Sequence, residues 1–128
     1  MLPKISSAVA DVKTWQLIHT RADTKVWRGF GPTPDYVLLG DFICVDTSNL
    51  PTPPADKIKN LKTVHISCLK RGTYTNSRLV EEMPAMSVWE ISDSEGGVSS
   101  GFWRAALGGG MPNPTAYVLN PKYITQEN

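Results

Sequence analysis

VWRGFGPTPDYVLLGDF, residues 26–42, and FWRAALGGGMPNPTAYVLNPKY, residues 102–123, are two wordings of one phrase. Each holds a Trp-Arg pair, a glycine-containing gap, a Pro-x-Pro turn and then Tyr-Val-Leu, the order expected of a strand-turn-strand unit used twice. The second wording places five more residues between Trp103 and Tyr117 than the first places between Trp27 and Tyr36. A lengthened hairpin loop would account for that difference.

The rest of the chain agrees with a β reading. Ten prolines and ten glycines punctuate 128 residues and leave few windows long enough for a helix of about 11 residues. Strands are expected at Thr14–His19, Lys25–Arg28, Tyr36–Val45, Thr63–Leu69, Ser87–Ile91, Phe102–Ala106 and Tyr117–Leu119, where β-branched and aromatic residues concentrate. Turn-rich segments between them match the spacing of a sandwich. The expected fold is therefore all-β: a single-domain antiparallel β-sandwich spanning residues 1–128, with two pseudo-repeated strand-turn-strand units and little helix.

Within it, YVLLGDFICV is apolar on both faces apart from Asp41, which predicts a central strand covered on both sides. Gly40 marks a bulge or a close backbone approach. The segment SNLPTPPADKIKNLK opens as a proline-rich loop and then sets Ile58 and Leu61 on one face of a short helical turn. DSEGGVSSG reads as an acidic, exposed loop.

Charge and cysteine usage narrow the function classes. Thirteen basic and twelve acidic residues give a formal net charge of +1, which creates no global field for nucleic acid or an anionic membrane. No nucleic-acid partner is expected, and membrane contact only of a peripheral kind. The opening MLPKISSAVADVKTW lacks the apolar run of a secretory signal, and no window reaches the roughly 18 apolar residues of a membrane span, so a soluble, cytoplasmic protein is expected. Cys44 and Cys68 lie in apolar runs and read as buried thiols.

Signatures of catalysis are weak. His65 and Cys68 are three apart in an expected strand, which sends them to opposite faces. Gly108-Gly109-Gly110 lacks the Lys-Ser/Thr of a phosphate loop and reads as a hairpin tip. Asp93 and Glu95 fall short of a calcium loop, and the histidines and cysteines lack the spacing of a zinc site. No catalytic residue, metal or cofactor is expected. Lys57, Lys59, Lys62, Lys70 and Arg71 form a basic concentration without interleaved aromatics, the pattern of a solvated face.

The four tryptophans, Trp15, Trp27, Trp89 and Trp103, all fall in strands, where most such rings are core. Where Arg28 or Arg104 follows a Trp, alternation turns the two side chains to opposite faces. An inward Trp leaves its Arg outward, able to grip a ligand or a neighbouring carboxylate.

The phrase at 26–42, the proline-rich PTPPADKIK and the later SVWEI together resemble the vacuolar protein sorting-associated protein 62 family over about residues 25–124, with the N-terminal strand as an extension. The matching positions are Trp27, Arg28, Pro34, Tyr36, Leu39, Gly40, Asp41, Pro53, Pro54, Ser87, Val88 and Trp89, while Gly29, Asp35 and Glu90 depart from the family pattern. The Trp-Arg and Tyr-x-x-Leu-Gly phrase is also similar to the adaptor-binding repeats of bridge-like lipid-transfer proteins. Those are β-sandwich modules that take Pro-x-Pro peptides and carry a characteristic asparagine, for which Asn113 and Asn120 are the candidates. The resemblance implies a non-enzymatic β module.

These readings converge on a recognition module binding a short peptide or a glycan. Its expected ligand-binding residues are Trp27, Arg28, Tyr36, Asp41, Trp103, Arg104, Asn113 and Tyr117. The alternative is a structural subunit of a homo-oligomer, or of a larger toxin-like or membrane-associated assembly.

Overall fold

The computed structural model describes residues 2–3, 8–82, 85–95, 99–108 and 110–125. Strands make up 57% of it and helix 9%, so the fold is all-β. In chain order the elements are β1 (Leu2–Pro3), β2 (Val9–Asp11), β3 (Thr14–Arg21), β4 (Thr24–Phe30), β5 (Tyr36–Val37), β6 (Phe42–Val45), α1 (Ala55–Ile58), β7 (Lys62–His65), β8 (Leu69–Glu82), β9 (Ala85–Asp93), β10 (Ser99–Leu107), β11 (Tyr117–Leu119) and β12 (Ile124–Thr125). Every strand pairing is antiparallel.

Two sheets form the body. The first runs β2-β7-β5-β4-β3, with β6 pairing the early part of β4, and curls into a half-barrel. The second runs β10-β9-β8-β11, and a separate two-stranded ladder joins β1 to β12. Apolar side chains from both sheets meet between them. Val26 of β4 packs with Met86 of β9 and Ala105 of β10, and Ile91 packs with Ala116 and Val118. Leu39 and Val64 pack with Cys68 and Leu69, with Val37, Tyr117 and Leu119 against them.

Several local expectations change. The run YVLLGDFICV is not one strand: β5 ends at Val37, residues 38–41 leave the ladder, and β6 restarts at Phe42. The break carries Asp41 out of the first sheet and into the junction with the second, and it leaves Ile43 and Val45 exposed. Gly40 makes the expected close approach. A Cβ there would lie 3.0 Å from the carbonyl oxygen of Trp103 and 3.2 Å from Phe102 Cβ, so a side chain would need β10 to give by a few tenths of an ångström.

The two wordings of the repeated phrase fold into different connections. In the first, β4 and β5 are sheet neighbours joined by a short turn, with Phe30 opposite Val37. In the second, β10 and β11 lie at opposite edges of their sheet with β9 and β8 between them. The extra residues therefore cross the end of the sheet and do not lengthen a hairpin; of the three glycines placed at its tip, Gly109 lies outside the described residues.

Thr63–Leu69 divides as well. A 3-10 turn over Ile66–Cys68 separates β7 from β8, and His65 caps it by accepting at Nδ1 from the Ser67 N–H at 3.1 Å. The face alternation expected for His65 and Cys68 therefore does not apply. The helical turn falls within its expected segment, at Ala55–Ile58.

Candidate functional site

The middle of β4 is buried over Val26, Trp27, Arg28 and Gly29, so both faces of this strand are covered. Trp27, 2% exposed, lies on one face, and Val26, which packs with Met86 and Ala105 of the second sheet, lies on the other. The Val26 face carries Arg28 toward the junction with β10, where Asp41 also arrives from the break before β6. Arg28 Nε and Nη2 donate to the two carboxylate oxygens of Asp41 at 3.0 and 2.8 Å, a bidentate pair. From the second sheet, Arg104 Nη1 donates to Asp41 Oδ1 at 3.0 Å and the Ala105 N–H donates to Oδ2 at 2.8 Å. The Asp41 side chain is fully buried.

The two guanidinium groups also bond backbone across the junction. Arg28 Nη2 donates to the Ala105 carbonyl and Arg104 Nη2 to the Leu38 carbonyl, both at 2.6 Å, while the Asp41 N–H donates to the Trp103 carbonyl at 2.8 Å. β10 is an edge strand, and in an antiparallel strand the N–H and C=O of one residue point to the same side. Asp41 and Arg28 thus take the place of a neighbouring strand at Trp103 and Ala105, which closes the edge and ties the sheets together.

Above this clasp lies a cleft of about 450 Å³. Its walls come from the β4–β5 turn and from the segment leading into β11, with Tyr36, Leu38, Pro114 and Tyr117 lining it and Arg28 and Arg104 at its base. Gly31 lets the turn fold back tightly, because a Cβ there would sit 2.5 Å from Tyr36 Cβ. A smaller cavity of about 260 Å³ lies between β3 and the end of β10, with Arg28, Met111 and Asn113 in its lining.

The residues expected at the site separate accordingly. Arg28, Tyr36, Arg104 and Tyr117 share the larger cleft, and Asn113 borders the smaller one with Arg28. Trp27, Asp41 and Trp103 line neither cavity. Trp27 is core, Asp41 is sealed beneath the arginines, and Trp103 is half-buried against the Val26 cluster. Asn120, the other asparagine candidate, accepts from the Lys122 N–H at 3.1 Å in a local turn.

Sequence reasoning missed Tyr74. It stands on β8, where no strand was expected, and its hydroxyl donates to the Pro114 carbonyl at 2.6 Å, fixing one wall of the cleft. Burial raises the pKa of this phenol from its ordinary value of 10.0, with smaller opposing contributions from the Arg104 and Arg28 charges. An aromatic residue in a polar stretch was the available signal.

Other groups are accounted for locally. The basic concentration is dispersed: Lys57 donates to the Val45 carbonyl, Lys62 pairs with Asp11, and Lys70 lies 2.7 Å from Asp93. Cys44 and Cys68 are free and buried. The hydrogen bond between Ser67 Oγ and His65 Nδ1, 2.8 Å long, belongs to the cap of the 3-10 turn. Among the described residues no group of three or more His, Cys, Asp or Glu is placed to hold a metal ion, and no helix is long and apolar enough to cross a membrane.

Comparison with protein-family models, with curated proteins and with solved structures found no match to this chain.

Proposed function

We propose that this chain is a non-enzymatic recognition module that holds a short peptide in the cleft between its two sheets. The observation that carries the reading is the cleft's composition. Two tyrosines, Leu38 and prolines form its walls, and guanidinium groups fixed by Asp41 lie at its base. Binding sites for small ligands combine such apolar walls with a few convergent polar groups, in volumes of roughly 300–1,000 Å³. Peptide side chains suit walls of this kind, and the arginines offer donors that need no rearrangement to meet an acceptor. The resemblance of the Trp-Arg and Tyr-x-x-Leu-Gly-Asp phrases to the vacuolar protein sorting-associated protein 62 family points to the same class.

The test is a peptide array run beside a glycan array on the purified chain, with light scattering for mass. Selective peptide binding is expected to weaken at least tenfold in Tyr36→Ala and Tyr117→Ala while circular dichroism stays unchanged, a loss of about 1.4 kcal/mol or more. Selective sugar binding with silent peptides would keep a recognition module and replace its ligand class. Silence on both arrays with a defined oligomer would overturn the reading in favour of an assembly subunit.

A further inference from the structure

Formal charge at the base of the cleft does not balance. Arg28 and Arg104 bring two positive charges, 9% and 4% exposed respectively, and Asp41 brings the one carboxylate that bonds them among the described residues. A guanidinium group stays protonated throughout the pH range of a folded protein. Tyr74 adds no compensating charge, because its hydroxyl is committed to the Pro114 carbonyl as a donor. A net positive charge is therefore held where little water reaches it, an arrangement that favours a buried counter-charge.

The arginines are also incompletely used. Arg28 bonds through Nε and Nη2, and among the described residues none of its hydrogen bonds uses Nη1. Arg104 Nε is buried with no hydrogen-bond partner among the described residues. Both residues line the larger cleft, and Arg28 borders the smaller cavity as well. Asp41 fixes both planes, so these donors cannot swing away to solvent without breaking the junction.

From the charge count and the unused donor we propose that the cleft contains an anion subsite, in which a carboxylate of the ligand accepts from Arg28 beside Arg104 and completes a two-plus, two-minus cluster. This rests on the recognition reading and names the ligand class within it: an acidic peptide, anchored by either an Asp or Glu side chain or its C-terminal carboxylate. Apolar walls at Leu38, Tyr36 and Tyr117 would then hold the residues beside that carboxylate.

The first experiment uses the whole chain, labelled with nitrogen-15, and titrates it with sodium acetate against its neutral isostere acetamide at constant ionic strength. Saturable shifts of the Arg28 Nε–H and of the Gly31, Leu38 and Thr115 amides with acetate, absent with acetamide, are the expected result. Equal responses to both probes, no response, or acetate shifts spread over the surface lysines would overturn the subsite. Arg28→Gln is expected to abolish the acetate response; should that variant fail to fold, the comparison of acetate with acetamide on the native chain still decides.

A second arm separates this proposal from the reading beneath it. Peptides that bind on the array are remade with amidated C-termini, and separately with Asn or Gln for each Asp or Glu. Loss of binding, by tenfold or more, in one series identifies the carboxylate source. Peptide binding indifferent to both changes would overturn the subsite and leave the recognition module standing. Saturable acetate binding with no peptide bound on any array would do the reverse.

Discussion

Arg28 and Arg104 each follow a tryptophan, and strand alternation assigns the Arg of each pair to the face away from its Trp. That rule gives the direction of Arg28 and not its environment. In β4 that face is the one turned to the second sheet, where Val26 packs as well, so an arginine expected outside is 9% exposed. Asp41 was visible as the single charge in YVLLGDFICV, but its bond to Arg104 spans 63 positions, a separation no local pattern reports. Tyr74 shows what such burial does to a titrating group. Its pKa is raised, so the folded chain holds the phenolic proton more tightly than the unfolded chain does. Stability from this residue is then fully present below about pH 10 and is lost as pH rises through the folded-state value. Alkaline difference spectroscopy on the native protein, which has four tyrosines, is expected to show a late-ionising component that disappears in Tyr74→Phe. A late component that survives the substitution would show that Tyr74 is not the buried phenol behind Pro114.

Element boundaries followed residue chemistry unevenly. β11 coincides with its expected limits at Tyr117–Leu119, because Pro114 and Pro121 bracket a short apolar triplet. The 14-residue β8 escaped the sequence reading beyond Leu69, since KRGTYTNSRLVEE holds few apolar positions. Its pairing with β9 supplies what its own composition lacks, and residues 76–80 are exposed where the hairpin extends beyond the body. A register shift between Thr75 and Arg78 marks a bulge, and Asn76 within it takes φ of 51°. Asparagine tolerates this left-handed conformation better than most residues and here also donates to Glu90 Oε2 at 3.1 Å. Asn76→Ala is therefore expected to cost about 1–2 kcal/mol in chemical denaturation, and Asn76→Gly less, because glycine meets no steric penalty at positive φ. Equal losses in the two variants would show that the bond to Glu90, which both remove, and not backbone geometry, holds the bulge.

For the whole molecule the question is whether the clasp is there to hold the sheets or to meet a ligand. Buried ion pairs are poor stabilisers against apolar replacements of similar volume, yet removing one member is severe because it strands the remaining charge. Asp41→Asn leaves two buried guanidinium groups without their carboxylate and is expected to lose about 3–5 kcal/mol. Replacing all three together, Arg28→Met, Asp41→Leu and Arg104→Met, removes the charges and their desolvation, a relief of about 1–4 kcal/mol. Against that, the Leu38 carbonyl and the Ala105 N–H and carbonyl lose their partners, at about 1–3 kcal/mol for each that water cannot reach. The two contributions oppose each other, and the place of the triple variant relative to Asp41→Asn reports how many of the three backbone groups find water or another partner. Guanidinium denaturation of the three proteins measures that order directly. If the triple variant is more stable than Asp41→Asn and shows no acetate response, an apolar junction suffices to join the sheets, and the charged one has its reason in the ligand. If it is no more stable than Asp41→Asn, the bonds to Leu38 and Ala105 are what hold the two sheets together, and the clasp is structural first.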